Sequence, residues 1–364
     1  MSATSVPTPY RRTAPKAPRP NPTTEFSALL GEVRDAGLLR RRTGSYLALT
    51  AVLLLALGLD AWGILELRNS WWQLALAAIM GLLLAQFGYL AHEAAHREIF
   101  TSGPANDRFG RILADLIVGI SYSWWKVGHN RHHANPNRVG KDPSVEAGVF
   151  SFTREDSARA RGVYAWYLRK QAYFYYPILL LAGLNLYLQS FATVFGRAPI
   201  ERRWQEIVML VARTGGLLAL LGFAMSVGKT LAFLGVQLAV FGIATASSFV
   251  VNHVGMPVIA PDAQLDYLKR QVTTSRNIRG GWIATAWMGG LNFQIEHHLF
   301  PSMPRANLRA ASGHVKRFCA ERGIPYTETG VLEAYLTVGR YMNDIGRTAG
   351  RSMDGCPTAR MLGR

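Results

Sequence analysis

Long runs of apolar residues alternate with polar and basic segments along the chain. The five longest runs cover residues 46–67, 71–91, 174–195, 207–227 and 230–251. Run 71–91 contains no charged residue, and as a helix it would rise about 30 Å, which is the thickness of the bilayer hydrocarbon. Only the short connector ELRNS joins it to the run before, which predicts a tight hairpin. The pattern predicts an all-α integral membrane protein.

Two of the runs differ in how well they suit a membrane crossing. Arg213 lies inside run 207–227, and a charge near the centre of a spanning helix costs about 3 kcal/mol. His92 and His253 each follow the end of an apolar run, and an even number of crossings between them would bring both to one side. We therefore expect 207–227 not to cross. The prediction is four transmembrane helices in two hairpins, formed by runs 46–67, 71–91, 174–195 and 230–251. A shorter run at 112–125, interrupted by Asp115, is expected at the membrane interface.

Composition and charge support this assignment. The 364 residues are 49% hydrophobic, yet 40 Lys and Arg stand against 23 Asp and Glu. The basic residues flank the apolar runs, which by the positive-inside tendency places those flanks in the cytosol. They form no recognised nucleic-acid-binding motif, so no nucleic acid partner is expected. Two cysteines are too few for a cysteine-ligated iron–sulfur cluster or a disulfide framework.

Residues 1–45 are rich in Pro, Thr and Arg and lack the apolar core of a secretion signal. We expect a disordered basic cytosolic tail, which either lies on anionic lipid or serves only as a solubilising extension. Residues 46–305 would form the membrane domain, and 306–364 a cytosolic C-terminal region.

Eight of the nine histidines fall in patterns that suit metal binding. The motifs HEAAH, HNRHH and QIEHH place imidazoles three or four residues apart, and such positions share one face of a helix. A further histidine follows Asn252 at the end of an apolar run, whereas His314 has no partner at ligand spacing and is expected to be a surface residue. The candidate ligands are His92, His96, His129, His132, His133, His253, His297 and His298.

The number of imidazoles indicates more than one metal ion. Structural zinc takes four ligands, often cysteine, and eight histidines are twice that number. Soluble di-iron bundles use two Glu-x-x-His motifs, but Glu93 and His96 spell the one instance in this sequence. A histidine-rich site for two metals is the remaining choice. Imidazole alone does not select among zinc, copper, iron and nickel.

The three motifs, in this order and around two membrane hairpins, resemble those of the membrane fatty acid desaturases. The resemblance covers roughly residues 80–305. QIEHH followed by LFPSMPR, and NHVGMP around His253, resemble the front-end subgroup. The resemblance implies that the eight histidines bind two iron ions in a cytosolic helical cap. Gln294 stands where the acyl-CoA Δ9 group has histidine, and it would ligate, hydrogen-bond a water or only pack. Asn252 is expected to hold a ligand or a bound water in place.

The resemblance also implies a reaction and its partners. The expected reaction is the O2-dependent introduction of a cis double bond into an acyl chain carried by a lipid or by CoA. Related lipid hydroxylases and carotenoid ketolases share the motifs and remain the alternative. The HPGG haem motif of fused cytochrome b5 domains is absent from the sequence, so an external donor of ferredoxin or cytochrome b5 type is expected. A bacterial cytoplasmic membrane with the active site facing the cytosol is the expected location.

A metal transporter is a rival of another class. Transporters place polar ligands near the bilayer midplane, whereas here the spans contain no histidine and every cluster lies at a span end or in a polar segment. This argues against transport.

Other residues near the motifs have expected roles. Trp124, Trp125, Trp282 and Trp287 would either line the mouth of an acyl slot or belong to the interfacial tryptophan belt. The carboxylates of Glu93 and Glu296 would either orient ligand imidazoles or be ordinary charged residues on the cytosolic surface.

Overall fold

The computed structural model describes residues 22–351. The α-helices in this range are α1 Pro22–Asp35, α2 Thr43–Leu67, α3 Gln73–Ala95, α4 Gly103–Arg111, α5 Tyr122–Ala134, α6 Arg154–Arg159, α7 Gly162–Arg169, α8 Gln171–Leu179, α9 Ala182–Phe195, α10 Arg203–Ala224, α11 Val227–His253, α12 Tyr267–Thr273, α13 Gly281–Trp287, α14 Gln294–Leu299, α15 Arg305–Glu321 and α16 Val331–Gly346. A π-helix covers Ile112–Val118, and 3₁₀ turns cover Pro143–Val145 and Leu291–Phe293. Two short parallel strands, β1 Asn277–Arg279 and β2 Glu328–Gly330, pair with Asn277 opposite Glu328.

Four of the described helices are long and apolar enough to cross a bilayer, namely α2, α3, α10 and α11. They form two hairpins, because short connections join α2 to α3 and α10 to α11. The predicted all-helical fold with four spans in two hairpins is confirmed. The histidine-bearing ends of α3 and α11 point to the same side, as the parity argument requires.

The structure favours α10 over the run at 174–195 as the third span. The run at 174–195 is broken into α8 and α9, which meet at an angle of 71°. α10, in contrast, is unbroken although it contains Arg213. That side chain is half-buried against the protein, where its guanidinium lies 5.4 Å from the ring centroid of Tyr187 and donates to the carbonyl of Ile117 at 3.4 Å. Because these groups solvate the charge, the span avoids much of the cost of facing lipid.

Close helix contacts at glycine hold α11 at the centre of the bundle. A Cβ added to Gly81 of α3 would lie 2.8 Å from the backbone oxygen of Gln237. A Cβ on Gly242 would lie 2.6 Å from the nitrogen of Gly183 in α9. A larger residue at these positions would force the helices apart. α11 is thereby fixed between α3 and α9, which sets the position of its terminal histidine.

The segment at 112–125 forms the π-helix and the start of α5. Buried Glu206 of α10 accepts hydrogen bonds from the hydroxyl of Ser121 at 2.6 Å and the backbone nitrogen of Ser123 at 3.1 Å. It also pairs with the buried Arg111 at 3.3 Å. These contacts fasten the N-terminus of α5, which carries the HNRHH motif, to a spanning helix.

The predicted disordered tail is helical over part of its length. Residues 1–21 lie outside the described part of the chain, whereas 22–35 form α1. Leu29 and Val33 of this helix are fully buried in a cluster that includes Leu308 and Val315 of α15. Packing of this apolar face, rather than composition, decides the conformation here. Of the C-terminal region, 352–364 also lie outside the described residues, and α16 packs against α8 and α11.

Candidate metal centre

Eight imidazoles from four helices converge at one end of the spans. α3 supplies His92 in its last turn, His96 directly follows the end of this helix, and α11 ends at His253. The short helices α5 and α14 present the HNRHH and QIEHH motifs with the expected spacing. All of the predicted ligand histidines are therefore brought together by the fold.

The imidazoles divide into two groups, and within each group one nitrogen per ring lies within 4.8 Å of the others. The larger group contains five histidines and the smaller contains three. Nε2 atoms of facing rings approach each other closely, at 2.7 Å for His96 and His129 and 3.3 Å for His132 and His253. The larger group is His92, His96, His129, His133 and His297, and the smaller is His132, His253 and His298.

The environment keeps five of these rings in the neutral form. Burial, followed by repulsion between neighbouring imidazoles, lowers the pKa of His96 to about 3. The same causes hold the pKa values of His129, His133, His297 and His298 well below the ordinary value. Neutral imidazole is the form that binds a metal.

The donor set fits a pair of transition metals. Within the described residues, Nε2 of His92 and Nε2 of His298 are buried without a hydrogen-bond partner. Buried polar atoms are rarely left unpaired, because each costs about 1–3 kcal/mol. Ligand nitrogens that face one another and lack partners are what a polyhistidine metal site requires.

Three further groups orient the imidazoles of the smaller set. The carboxylate of buried Asp142 accepts a hydrogen bond from Nδ1 of His132 at 2.9 Å. Oε1 of Gln271 accepts from Nδ1 of His298 at 3.0 Å. The backbone carbonyl of Thr274 accepts from Nδ1 of His253 at 3.0 Å. Each bond leaves Nε2 free to face the centre. Such contacts to the far nitrogen fix the tautomer and ring orientation of metal-ligating histidines.

Asp142 is ionised at neutral pH. Burial raises its pKa, but the hydrogen bond and charge of His132 and the backbone donors of Ser144 and Asn137 outweigh burial and lower it overall. Sequence reasoning missed Asp142, Gln271 and Thr274 as orienting groups. The polar GKDP segment that follows HNRHH was the available signal for the first of them.

Gln294 and Asn252 lie beside the smaller group. Nε2 of Gln294 is 2.9 Å from Nε2 of His253, and its Oε1 accepts from Nδ2 of Asn252 at 3.2 Å. Asn252 also donates to the carbonyls of Ser248 and Leu291, at 2.8 and 3.0 Å. Asn252 therefore holds Gln294 against the centre.

The two glutamates have other partners than those expected. Glu93 forms an ion pair with Arg305, whose Nη2 donates to Oε2 at 2.7 Å. Glu296 accepts from Nδ2 of Asn277 at 2.7 Å and from the hydroxyl of Tyr326 at 3.0 Å, and burial raises its pKa to about 7. Within the described residues neither carboxylate bonds to an imidazole, and both carboxylates are buried, so neither alternative holds. Both instead secure the segments that carry the ligands.

Two adjacent cavities, which share Trp125 and Ala246 among their lining residues, reach the histidine cluster. An apolar cavity of about 250 Å³ lies between the spanning helices and reaches His92, with Ala182 and Phe241 among its walls. A larger cavity of about 800 Å³ opens beside His129 and His132. Trp125 lines both cavities and Trp124 lines the larger, whereas Trp282 and Trp287 line neither of them. Two of the four tryptophans therefore line a cavity at the histidine cluster, and the role of these cavities as an acyl slot stays a prediction.

Taken together, the fold and the site define an integral membrane protein with a cluster of eight histidines, suited to metal binding, beside an apolar cavity. Comparison with known families gives the particular class. The family model described as fatty acid desaturase matches residues 69–330, and the chain belongs to this family. It is an oxidoreductase that acts as a fatty acid desaturase.

The relatives include front-end enzymes. A Delta(8)-fatty-acid desaturase of Helianthus annuus is 28% identical over 342 residues, which is 86% of this chain and 71% of the relative. An acyl-lipid (9-3)-desaturase of Borago officinalis is 26% identical, covering 85% of this chain and 72% of its own. An acyl-lipid 8-desaturase of Rebecca salina is 30% identical over 70% of this chain and 60% of the relative. The resemblance to the front-end subgroup is confirmed.

Proposed function

We propose that the eight histidines bind two iron ions and that the enzyme uses O2 to form a cis double bond in an acyl chain. The convergence of the eight imidazoles at the end of an apolar cavity is the observation that carries this proposal. The five-histidine group would hold one iron and the three-histidine group the other, with Gln294 beside the second. The fatty acid desaturase family supports iron as the metal.

The site suits an acyl substrate. The walls of the inner cavity are almost wholly apolar and would hold the acyl tail away from water, with its reacting carbons beneath His92. The larger cavity would take the headgroup or CoA part, since it opens beside polar Asn137 and Ser144. Trp125 stacks on His129 with ring centroids 4.4 Å apart and would shape the passage between the two.

The iron pair would supply the oxidising power, because unactivated methylene C–H bonds are not acidic enough for an acid–base side chain. The overall reaction removes two hydrogens from neighbouring carbons. Those hydrogens, two protons and two donor electrons reduce one O2 to two waters. The protein's own groups orient the imidazoles, exclude water and position the chain.

The distribution of basic residues is the ground for proposing the side of the membrane and the electron donor. Arg34, Arg40 and Arg97 lie on the flanks at the histidine-bearing end of the spans, which supports a cytosolic active site by the positive-inside tendency. An external acidic donor of ferredoxin or cytochrome b5 type would be attracted to this face. The membrane would be the bacterial cytoplasmic membrane, and the acyl carrier either a lipid or CoA.

The test is fatty acid analysis of a host that expresses the enzyme with a ferredoxin and its reductase. Fatty acid methyl esters are identified by mass spectrometry, with mapping of double bonds. The wild type is compared with His297→Ala and His132→Ala. His314→Ala is the matched control, because its ring lies on α15 near Glu32 and away from the centre. A new unsaturated acid is expected with the wild type and the control alone. A hydroxy acid in its place would contradict desaturation.

A further inference from the structure

An uncharged stretch that leads into the third histidine motif lines neither of the two cavities. Residues 280–295, GGWIATAWMGGLNFQI, contain no Asp, Glu, Lys or Arg and include α13. Trp282 is 76% exposed and Ile283 63% exposed. Large apolar side chains exposed together mark a surface that is covered by something other than water.

The start of α16 extends this apolar surface. A Cβ on Gly280 would lie 2.9 Å from Cγ2 of Val331, so the two segments adjoin. Leu332 is 72% exposed, and Leu336 lies one turn further along the same face. We call this surface the tryptophan patch, and its residues are Trp282, Ile283, Trp287, Val331, Leu332 and Leu336.

Hydrogen bonds to the spanning helices locate the patch along the membrane normal. Nε2 of Gln86 in α3 donates to the carbonyl of Ala286, and Nε1 of Trp287 donates to the hydroxyl of Ser247 in α11, at 3.0 and 3.4 Å. Gln86 is about 20 Å along α3 from its start, so it lies within a hydrocarbon layer of roughly 30 Å. Ser247 is about 30 Å along α11, at the boundary of that layer. α13 therefore lies at the edge of the hydrocarbon on the side of the metal centre.

Residues at both ends of these helices support this position of α13 along the membrane normal. Trp71 and Trp72, just before α3, are both exposed, and exposed tryptophans are typical of the opposite membrane interface. On the near side, exposed Arg279 precedes α13, and exposed Arg340 follows Leu336 by one turn on the same face of α16. Basic residues at the rim of an apolar patch suit anionic lipid headgroups.

We propose that α13 and the start of α16 lie in the plane of the membrane, with the tryptophan patch buried in lipid at the acyl–headgroup boundary. The segment that carries the patch is bonded to the spanning helices α3 and α11 through Gln86 and Ser247, which is why lipid rather than a protein partner covers it. This in-plane segment anchors the cap to the bilayer independently of the four spans.

The anchor acts on the site through its connection to α14. After α13 the chain passes Gly289, whose backbone packs on the ring of Tyr89 so closely that a Cβ would lie 2.4 Å from it. Tyr89 lines the apolar cavity, and Gln294 follows five residues after Gly289. Depth of α13 in the membrane thus sets the depth of the third histidine motif and of one cavity wall.

Spin-label accessibility tests the proposal. Ile283→Cys is introduced into the full chain after Cys319→Ala and Cys356→Ser, labelled with a nitroxide and placed in nanodiscs of phosphatidylcholine and phosphatidylglycerol. Leu55→Cys on the exposed side of α2 is the lipid control, and Glu321→Cys at the end of α15 is the water control. Collisions with O2 and with a water-soluble nickel chelate are measured by power saturation.

The label at 283 is expected to favour O2 over the nickel chelate, as the label at 55 does. Accessibility to the chelate equal to that at 321 would overturn the proposal. Dipolar broadening that disappears on dilution with unlabelled protein would also overturn it, because a second copy would then cover the patch. Leu332→Cys, on the same patch, replaces Ile283→Cys if that variant fails to fold.

Discussion

Replacement of Asp142 by asparagine tests how the smaller histidine group is held. Oδ2 of Asp142 accepts from Nδ1 of His132 at 2.9 Å and from the nitrogen of Asn137 at 2.7 Å, while Oδ1 accepts from the nitrogen of Ser144 at 2.9 Å. In Asp142→Asn the amide group must face one of these donors. It keeps the bond to His132 best by giving up the bond to Ser144, and the negative charge behind the imidazole is lost.

The expected cost has two parts. Loss of one buried hydrogen bond lowers the free energy of unfolding by about 1–3 kcal/mol. Loss of the charged partner of a ligating imidazole weakens metal binding by about 10–100-fold, which corresponds to roughly 1.4–2.7 kcal/mol. Because Asp142 contacts only His132 among the histidines for which such a bond is described, the weakening should affect one of the two metals.

Competition with a chelator of known affinity measures this effect. The purified variant should release one metal per chain at a chelator concentration that leaves the wild type loaded, and hold the second metal as the wild type does. Glu146→Gln is the matched control, since this exposed carboxylate pairs only with exposed Arg131 in the described structure. Release of both metals together, or of neither, would refute the assignment of Asp142 to the smaller group.

Three other changes have defined outcomes. Arg305→Met leaves the buried Glu93 carboxylate unpaired and should lower the free energy of unfolding, measured in detergent micelles, by about 3–5 kcal/mol. The double variant that also carries Glu93→Gln should be closer in stability to the wild type. An equal loss of stability in both variants would contradict a coupled pair. Gly183→Ala places a Cβ 2.3 Å from a backbone oxygen of α11 and should cost about 1–3 kcal/mol in the same assay; unchanged stability would contradict the close contact. Ala246→Phe fills the junction of the two cavities and should lower product formation with unchanged metal content; unchanged turnover would place the acyl chain elsewhere.

The histidine site could be predicted because its geometry is local. Spacings of three and four residues put imidazoles on one helix face, and the ends of apolar runs place them at one membrane surface. His253 follows the end of an apolar run as His92 does, and its placement on the same side as His92 required an even number of crossings between them. Those two rules brought together every imidazole of the site before any tertiary contact was known.

The missing parts depend on contacts between distant segments. Gln271 and Thr274 reach the imidazoles from a segment that no spacing rule connects to them. Arg213 was judged by its charge alone, although Tyr187 and Ile117 solvate it in the folded protein. Burial strengthens such pairings, and a single sequence does not reveal which partner will be near.

Two errors had a signal in the sequence that composition obscured. Pro177 lies shortly before the break between α8 and α9, and proline removes a helical hydrogen bond. Leu29 and Val33 are spaced so that they share one face of a helix, although the residues just before them are rich in proline and arginine. Proline was the better guide to local structure at the first place, and the apolar spacing was the better guide at the second.

The count of metal atoms per chain tests the central claim most directly. Wild-type protein, expressed with iron in the medium and purified in mild detergent, is analysed by inductively coupled plasma mass spectrometry for iron, zinc, copper and manganese against protein concentration from amino-acid analysis. The account predicts about two iron atoms per chain, one for each histidine group. One metal atom per chain, or zinc in place of iron in an active preparation, would contradict it.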